Sequence, residues 1–225
     1  AEALIRYRSK SDTLVLPGNF LPLLEEIESI SLIDFYVFRF VCAKLKDWID
    51  QGKQAFPVSV NFSVSSLMQP SFVEQLTAIC RTYDISPCYM EIEVTERVHD
   101  AEGLDIKLLI SKLHQAGFAV AIDDFGTEYA NLALLSEIDF DVLKLDKSMI
   151  DNIALNPKTK TIVGLISGVC HNLGINMVAE GIETEEQFLA LRSCGVDLAQ
   201  GFLFSKPISA QEYETRFLNP DMEKQ

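Results

Sequence analysis

The sequence predicts an α/β fold, a TIM-type (β/α)8 barrel, on three observations. From Pro57 onward, apolar strand-like stretches alternate one for one with amphipathic helical stretches, the order that produces parallel strands and crossover helices. Strand after strand then ends in an oxygen-bearing or cationic side chain, as the carboxyl-end rim of a barrel would. The 225 residues, 48% hydrophobic and 23% charged, suffice for one such barrel and its core. A doubly wound open sheet is the alternative, and it lacks a glycine-rich first strand–helix turn here. Residues 1–225 are accordingly expected to form a single domain.

Taken in order, Ala3 to Arg8 reads as a short strand immediately after Glu2. Pro17-Gly18-Asn19 is a turn that offers Asn19 as a helix cap. Phe20 to Glu28 and Leu32 to Gln51 are apolar at helical spacing, the second ending at polar Gln51-Gly52-Lys53. Pro57 to Phe62 is a strand, followed by Ser63 and one helix through about Arg81. Tyr89 to Glu96 alternates apolar and polar, as a strand does. A helix from about Leu104 to Gln115 closes at Gly117, and the strand from Ala119 follows. Tyr129 to Leu135 is a short helix and Phe140 to Asp146 the next strand. Thr159 to Asn172 is a long helix closed by Gly174. Ile175 to Glu180 is a strand, Thr184 to Ser193 a helix, Val196 to Phe204 the last strand, and Ala210 to Phe217 the last helix. These are seven strands; the eighth, first in the barrel, is expected upstream of Ala1, in a longer parent protein.

A net charge of −14 argues against a general partner in DNA or an anionic membrane surface. Any phosphate ligand needs local cations. Five cysteines without CxxC spacing point to reduced thiols in a cytoplasmic setting. Three histidines show no ligand spacing, and His114 and His171 fall late in helices. There is no signal peptide and no membrane-spanning apolar run, so this domain makes no membrane contact, although the parent protein could be anchored elsewhere.

The stretch from Ala119 to Thr127 carries the sharpest signal. A buried-looking strand runs straight into Asp123 and Asp124, and neighbouring carboxylates repel unless a cation sits between them. A helix cap explains one aspartate and leaves the other spare. The carboxyl ends of the other strands supply Asn61, then Glu93 and Glu96, Lys144 and Asp146, Glu180 and Glu183, and Gln200. Any one of these is easily a solvated loop residue; six successive strands behaving alike is not. Hard oxygen ligands without His or Cys select Mg²⁺ or Mn²⁺, and so many carboxylates suit two ions better than one. Two such ions about 3.5–4 Å apart are the usual arrangement for phosphodiester hydrolysis. Lys144 fits as the ammonium that orients the attacking water or neutralises developing charge; a salt bridge to Asp146 or Asp123 is its plain structural alternative.

With these residues assembled, the chain resembles the EAL-domain family of bacterial cyclic di-GMP phosphodiesterases. The matches are Glu2-Ala3-Leu4 with Ile5-Arg6, Val58 to Ser63, Glu93-Val94-Thr95-Glu96, Asp123 to Thr127, Lys144-Leu145-Asp146, Glu180 to Glu183, and Gln200-Gly201-Phe202. They run in order over essentially the whole chain. The resemblance implies a barrel with an early antiparallel strand, taken to be the one carrying Glu2. It implies that Glu2, Asn61, Glu93 and Asp123 bind one metal, that Asp123 and Asp124 hold the second, and that Glu180 lies near it or its water. Lys144 and Glu180 compete for the general-base role; a ring of carboxylates opposes the lowered lysine pKa that such a role needs. Arg6 would grip a substrate phosphate, Leu4 and Pro207 would line the nucleotide pocket, Gln200 would support the reacting water, and Glu183 would stand behind the ligands. The implied reaction opens cyclic di-GMP to linear pGpG. A homodimer and a fused upstream sensor, receiver or GGDEF domain are implied partners.

Two departures matter. The family loop usually reads Asp-Phe-Gly-Thr-Gly-Tyr-Ser-Ser, whereas here Glu128, Ala130 and Asn131 replace a glycine and two serines. That loop, braced by Glu96, couples metal binding to dimerisation in the family, so its change points to reduced or partner-dependent activity. The family's usual Tyr-Gln-Pro strand before the EAL motif is also missing. A catalytically silent EAL domain that binds cyclic di-GMP or a protein as a sensor is therefore the second reading. An unrelated Mg²⁺ barrel enzyme of enolate chemistry is the remote third.

Overall fold

A computed structural model describes residues 1–96, 98, 101–127 and 133–218. Along the chain lie β1 (Tyr7–Arg8), β2 (Leu14–Val15), α1 (Leu21–Glu26), α2 (Ile30–Asp50), β3 (Val58–Asn61), α3 (Val64–Leu67), α4 (Phe72–Tyr83) and β4 (Met90–Thr95). Then come α5 (Ile106–Ala116), β5 (Ala119–Phe125), α6 (Leu134–Glu137), β6 (Val142–Leu145), α7 (Lys147–Ile150) and α8 (Pro157–Leu173). The chain ends with β7 (Asn176–Ala179), α9 (Glu185–Ser193), β8 (Leu198–Ala199) and α10 (Ala210–Phe217). One sheet follows sequence order, β3-β4-β5-β6-β7-β8. The pairs β5–β6, β6–β7 and β7–β8 are parallel, as one-for-one alternation with helices demands.

The chain divides into two compact units. The first takes Ala1–Ile92, Lys112–Phe118 and the described residues from Ile208 on; the second takes the described residues of Glu93–Ser111 and Ala119–Pro207. In the first, α2 buries Phe35, Phe38, Val41, Cys42 and Leu45 along one face. Phe62, just after β3, stands edge-on to Phe35 and Phe72 and close to Phe38, an aromatic cluster built from residues spread across the sequence. The last helix, α10, is held to α2 by Trp48, whose indole N–H donates to Glu214 at 3.0 Å and whose ring lies 5.6 Å from Tyr213. In the second unit, Val120, Ile122, Leu143, Leu145 and Met177 are wholly buried, with Val163, Cys170 and Leu191 on its helices. Such continuous apolar strands are what a sheet covered by crossover helices needs. Gly174, at φ +75°, closes α8, and Thr184 with Gln187 forms a reciprocal capping box at the start of α9.

Four expectations are corrected. The Ala3 to Arg8 strand shrinks to β1, which pairs antiparallel with an unforeseen β2. Glu2 does not lie on an antiparallel strand: Ser59 donates its N–H to the Ala1 carbonyl and accepts from the Ala3 N–H, flanking Glu2 in the parallel pattern. The single helix from Ser63 to Arg81 is two, because Pro70 pushes Gln69 out of helical conformation and the Phe72 N–H turns back to the Gln69 carbonyl. The Val196 to Phe204 strand is only β8, since Phe204 and Ser205 both donate back to the Gly201 carbonyl in a turn. Of the Tyr129 to Leu135 helix, residues 129–132 lie outside the described residues, as do His99, Glu128, Ala130 and Asn131.

Candidate active site

The two aspartates that ended the central strand occupy a β-bulge. On β5, Ile122 pairs with Leu143 and Phe125 with Leu145, so three steps on one strand face two on its neighbour. Asp124 takes up the extra residue at φ +58°, a left-handed conformation that costs a non-glycine about 1–2 kcal/mol and that Asp tolerates better than most. The bulge splits the pair. Asp123 is 8% exposed, faces inward and accepts the Asp124 N–H at 2.9 Å, while Asp124 is turned out to solvent.

Lys144, on the neighbouring β6, is the centre of the second unit's polar cluster. Its ammonium lies 2.6 Å from Glu93 Oε1, 2.7 Å from Glu180 Oε1 and 3.2 Å from Asp123 Oδ1. Lys144 is 3% exposed and Glu93 wholly buried. Three consecutive strands and the loop after a fourth deliver these groups: β4, β5, β6, and Glu180, whose N–H continues the sheet by donating to the Leu145 carbonyl. All sit toward the carboxyl ends of their strands, where barrel chemistry collects. Among the described residues, one ammonium among three carboxylates leaves a formal excess of two negative charges in a place with little water, an arrangement that invites cations. The donor set, oxygen only, fits a hard divalent ion.

Around this cluster the loops are tightly fixed. Glu96 accepts the Gly126 N–H at 3.3 Å, bracing the turn after the bulge. Asp146 caps α7 through the Ser148 N–H at 2.8 Å. Glu183 pairs with Lys147 at 2.5 Å and holds that ammonium above its usual pKa by hydrogen bonding. Gln200 donates its N–H to the Ala179 carbonyl and accepts from Ile182, and the following Gly201 is forced: a Cβ there would lie 2.2 Å from the Ile182 carbonyl oxygen. Pro207 is exposed.

In the first unit, the Asn61 side chain at the end of β3 donates to Glu2 Oε1 at 3.0 Å. The sequence-adjacent Leu4 is exposed, and the Arg6 guanidinium curls back to the Ile5 carbonyl at 2.7 Å. Two residues escaped the sequence reading. Lys147 shows itself only through Glu183, and Asp34 is a buried carboxylate of α2 whose partners lie 29 and 32 residues away. No local spacing signals either.

Comparison with known proteins places this geometry. The EAL domain family model matches residues 1–207. The chain is 31% identical over 213 residues to cyclic di-GMP phosphodiesterase PA2567 of Pseudomonas aeruginosa, covering 95% of this chain and 36% of that protein. It therefore spans little more than a third of that relative's length. Among solved structures, the PaMucR phosphodiesterase in complex with c-di-GMP superposes with a TM-score of 0.86 at 30% identity, covering 94% of this chain and 85% of that one. The manganese and cy-diGMP complex of Klebsiella pneumoniae BlrP1 gives a TM-score of 0.80 at 31% identity, covering 92% and 51%. The chain belongs to the EAL domain family and has its TIM-like α/β fold. Among the described residues no helix is long and apolar enough to cross a membrane.

Proposed function

We propose that this chain is a divalent-metal-dependent phosphodiesterase domain that hydrolyses cyclic di-GMP to linear pGpG. The observation that carries the proposal is the Lys144 cluster, three carboxylates sharing one buried ammonium. The phosphodiesterase activity named for PA2567 and PaMucR, and the cyclic di-GMP bound by PaMucR and BlrP1, support the choice of substrate.

In this proposal Glu2, Asn61, Glu93 and Asp123 hold one Mg²⁺ or Mn²⁺, and Asp123, Asp124 and Glu180 serve the second. The two ions, when bound, polarise the phosphoryl group and acidify the attacking water. The chain's own residues do the rest. Lys144 orients the nucleophile and offsets negative charge as it builds on the phosphoryl oxygens. Glu180, ion-paired with Lys144 and less buried than Glu93, is placed to accept the water's proton; Lys144, ion-paired with three carboxylates, is the poorer base. Gln200 supports the reacting water, and Glu183 and Asp146 secure the loops behind it. Arg6 swings from the Ile5 carbonyl to a substrate phosphate, beside Leu4 and Pro207 at the nucleotide. Residues 1–225 act as one domain, fused in the parent protein to a sensory, receiver or GGDEF domain and working as a homodimer in the cytoplasm.

The test is turnover of cyclic di-GMP with Mg²⁺ or Mn²⁺, followed by chromatography, beside a Glu2→Ala control. Appearance of pGpG that vanishes in the control is expected. Nucleotide binding without product sinks the hydrolase and leaves a sensor whose loop around Glu128 has been retired.

A further inference from the structure

Asp34 sits in the second turn of α2, only 8% exposed, on the same helix whose face is otherwise Phe35, Phe38 and Val41. One oxygen, Oδ2, accepts three hydrogen bonds: from the Ser63 N–H at 2.9 Å, the Ser63 hydroxyl at 2.6 Å and the Ser66 hydroxyl at 2.7 Å. Burial still outweighs these bonds and raises the carboxyl pKa, so the fold carries a cost for an ionised group at this place. A helix start does not need so much. Ser63 already caps α3 by accepting the Ser66 N–H.

What the three bonds do hold is the chain immediately after Asn61. Phe62 is wedged among Phe35, Phe38 and Phe72, and Ser63 is tied to Asp34, so two consecutive residues are clamped to α2 and its neighbour. The strand end before them is left with one place to be. Its side chain, Asn61, points to Glu2 Oε1, and Glu2 is itself fixed by the backbone bonds between Ser59 and the residues on either side of it. The order of contact is Asp34 to Ser63, along the backbone to Asn61, and across to Glu2, all within the first unit.

We infer that Asp34 is a positioning residue for the Asn61–Glu2 pair, setting the affinity for the divalent ion that this pair helps to hold. The inference rests on the metal assignment proposed above. Loosening the turn that places Asn61 is expected to weaken binding of the ion about tenfold.

The experiment is Mn²⁺ titration by calorimetry in the absence of substrate, with thermal denaturation and steady-state kinetics alongside. Four proteins are compared: wild type, Asp34→Asn, Ser66→Ala and Glu214→Gln. Asp34→Asn is expected to weaken Mn²⁺ about tenfold and raise the metal concentration for half-activation equally, with kcat at saturating Mn²⁺ within about twofold. Ser66→Ala, which removes one of the three donors, should give a smaller shift in the same direction. Glu214→Gln loosens the same unit at α10 and should lower the melting temperature without moving the Mn²⁺ affinity. Mn²⁺ affinity unchanged in Asp34→Asn, or lost equally in Glu214→Gln, overturns the positioning role and leaves Asp34 a purely structural group. Wild type that binds no Mn²⁺ overturns the metal assignment itself, a result read from the first protein alone.

Discussion

The parallel strands of the second unit carry carboxylates at both ends, and the two ends treat them differently. At the amino ends, Asp141 accepts the Val120 N–H at 2.7 Å and Asp197 accepts the Met177 N–H at 2.8 Å. Each reaches a backbone N–H of the adjoining strand and keeps part of its surface in water. At the carboxyl ends, Glu93, Asp123 and Glu180 share the Lys144 ammonium, one cation for three acids among the described residues, where water is nearly excluded. The first arrangement ties strands together through backbone N–H donors. The second is short of positive charge, and nothing in the strand geometry requires it. A carboxylate becomes a functional candidate when its surroundings leave charge uncompensated, and an ordinary structural strut when they do not.

The largest expected effect comes from removing the ammonium that Glu93, Asp123 and Glu180 share. Lys144→Met leaves Glu93 buried without its ammonium, and breaking a buried pair in this way costs about 3–5 kcal/mol. The metal-free protein should therefore melt markedly lower, and Mn²⁺ should restore more of that loss in the variant than it adds to wild type. Turnover should fall by about 10²–10³ even at saturating metal, because charge stabilisation in the reaction is lost with it. Melting curves with and without Mn²⁺, paired with the pGpG assay, check both. A variant that melts like wild type without metal would erase the contrast between the two strand ends.

Much of that contrast was legible in the sequence, and the misses have physical causes. The buried strands at Ala119, Phe140 and Ile175 stood out because parallel strands covered by helices are apolar without alternation, and their terminal carboxylates interrupt that run. The bulge explains why Asp123 and Asp124 are adjacent, yet no pattern in nine residues announces a left-handed aspartate; it takes the register against β6 to see it. β2 went unseen because two residues of an exposed hairpin carry no periodicity. The direction of the Glu2 segment was misjudged because pairing direction depends on which backbone groups of Ser59 are offered, and that is set by the fold. Lys144 was legible as a cation among acids, but not as partner to Glu93, 51 positions away. Asp34 was invisible for the same reason.

A middle-sized effect belongs to the amino ends. Asp197→Ala removes the acceptor of the Met177 N–H near the surface, a loss of about 1 kcal/mol that water partly makes good. The melting temperature should drop by a few degrees, with kcat and the metal requirement unchanged. A fall in turnover comparable to that of Lys144→Met would mean the two ends are energetically continuous and the distinction between them is wrong.

The smallest effect tests a balanced carboxylate in the first unit. Glu214 on α10 pairs with Lys53 and accepts the Trp48 indole N–H, and these two partners, Lys53 first, hold its pKa below the ordinary glutamate value. A group whose folded pKa is depressed contributes stability that is fully present above the unfolded pKa. That contribution disappears as the pH falls through the glutamate range toward the folded value. Glu214→Gln should therefore melt below wild type at about pH 7, and the gap should narrow progressively as the pH falls below the ordinary glutamate range and wild type loses the charge as well. Here, unlike at the carboxyl ends, one acid meets one base and an additional donor, so the site has no charge left to recruit an ion. Mn²⁺ should leave the gap unchanged at neutral pH. A gap that stays constant with pH would show that the indole contact and the packing of α10, not the ion pair, hold this helix in place.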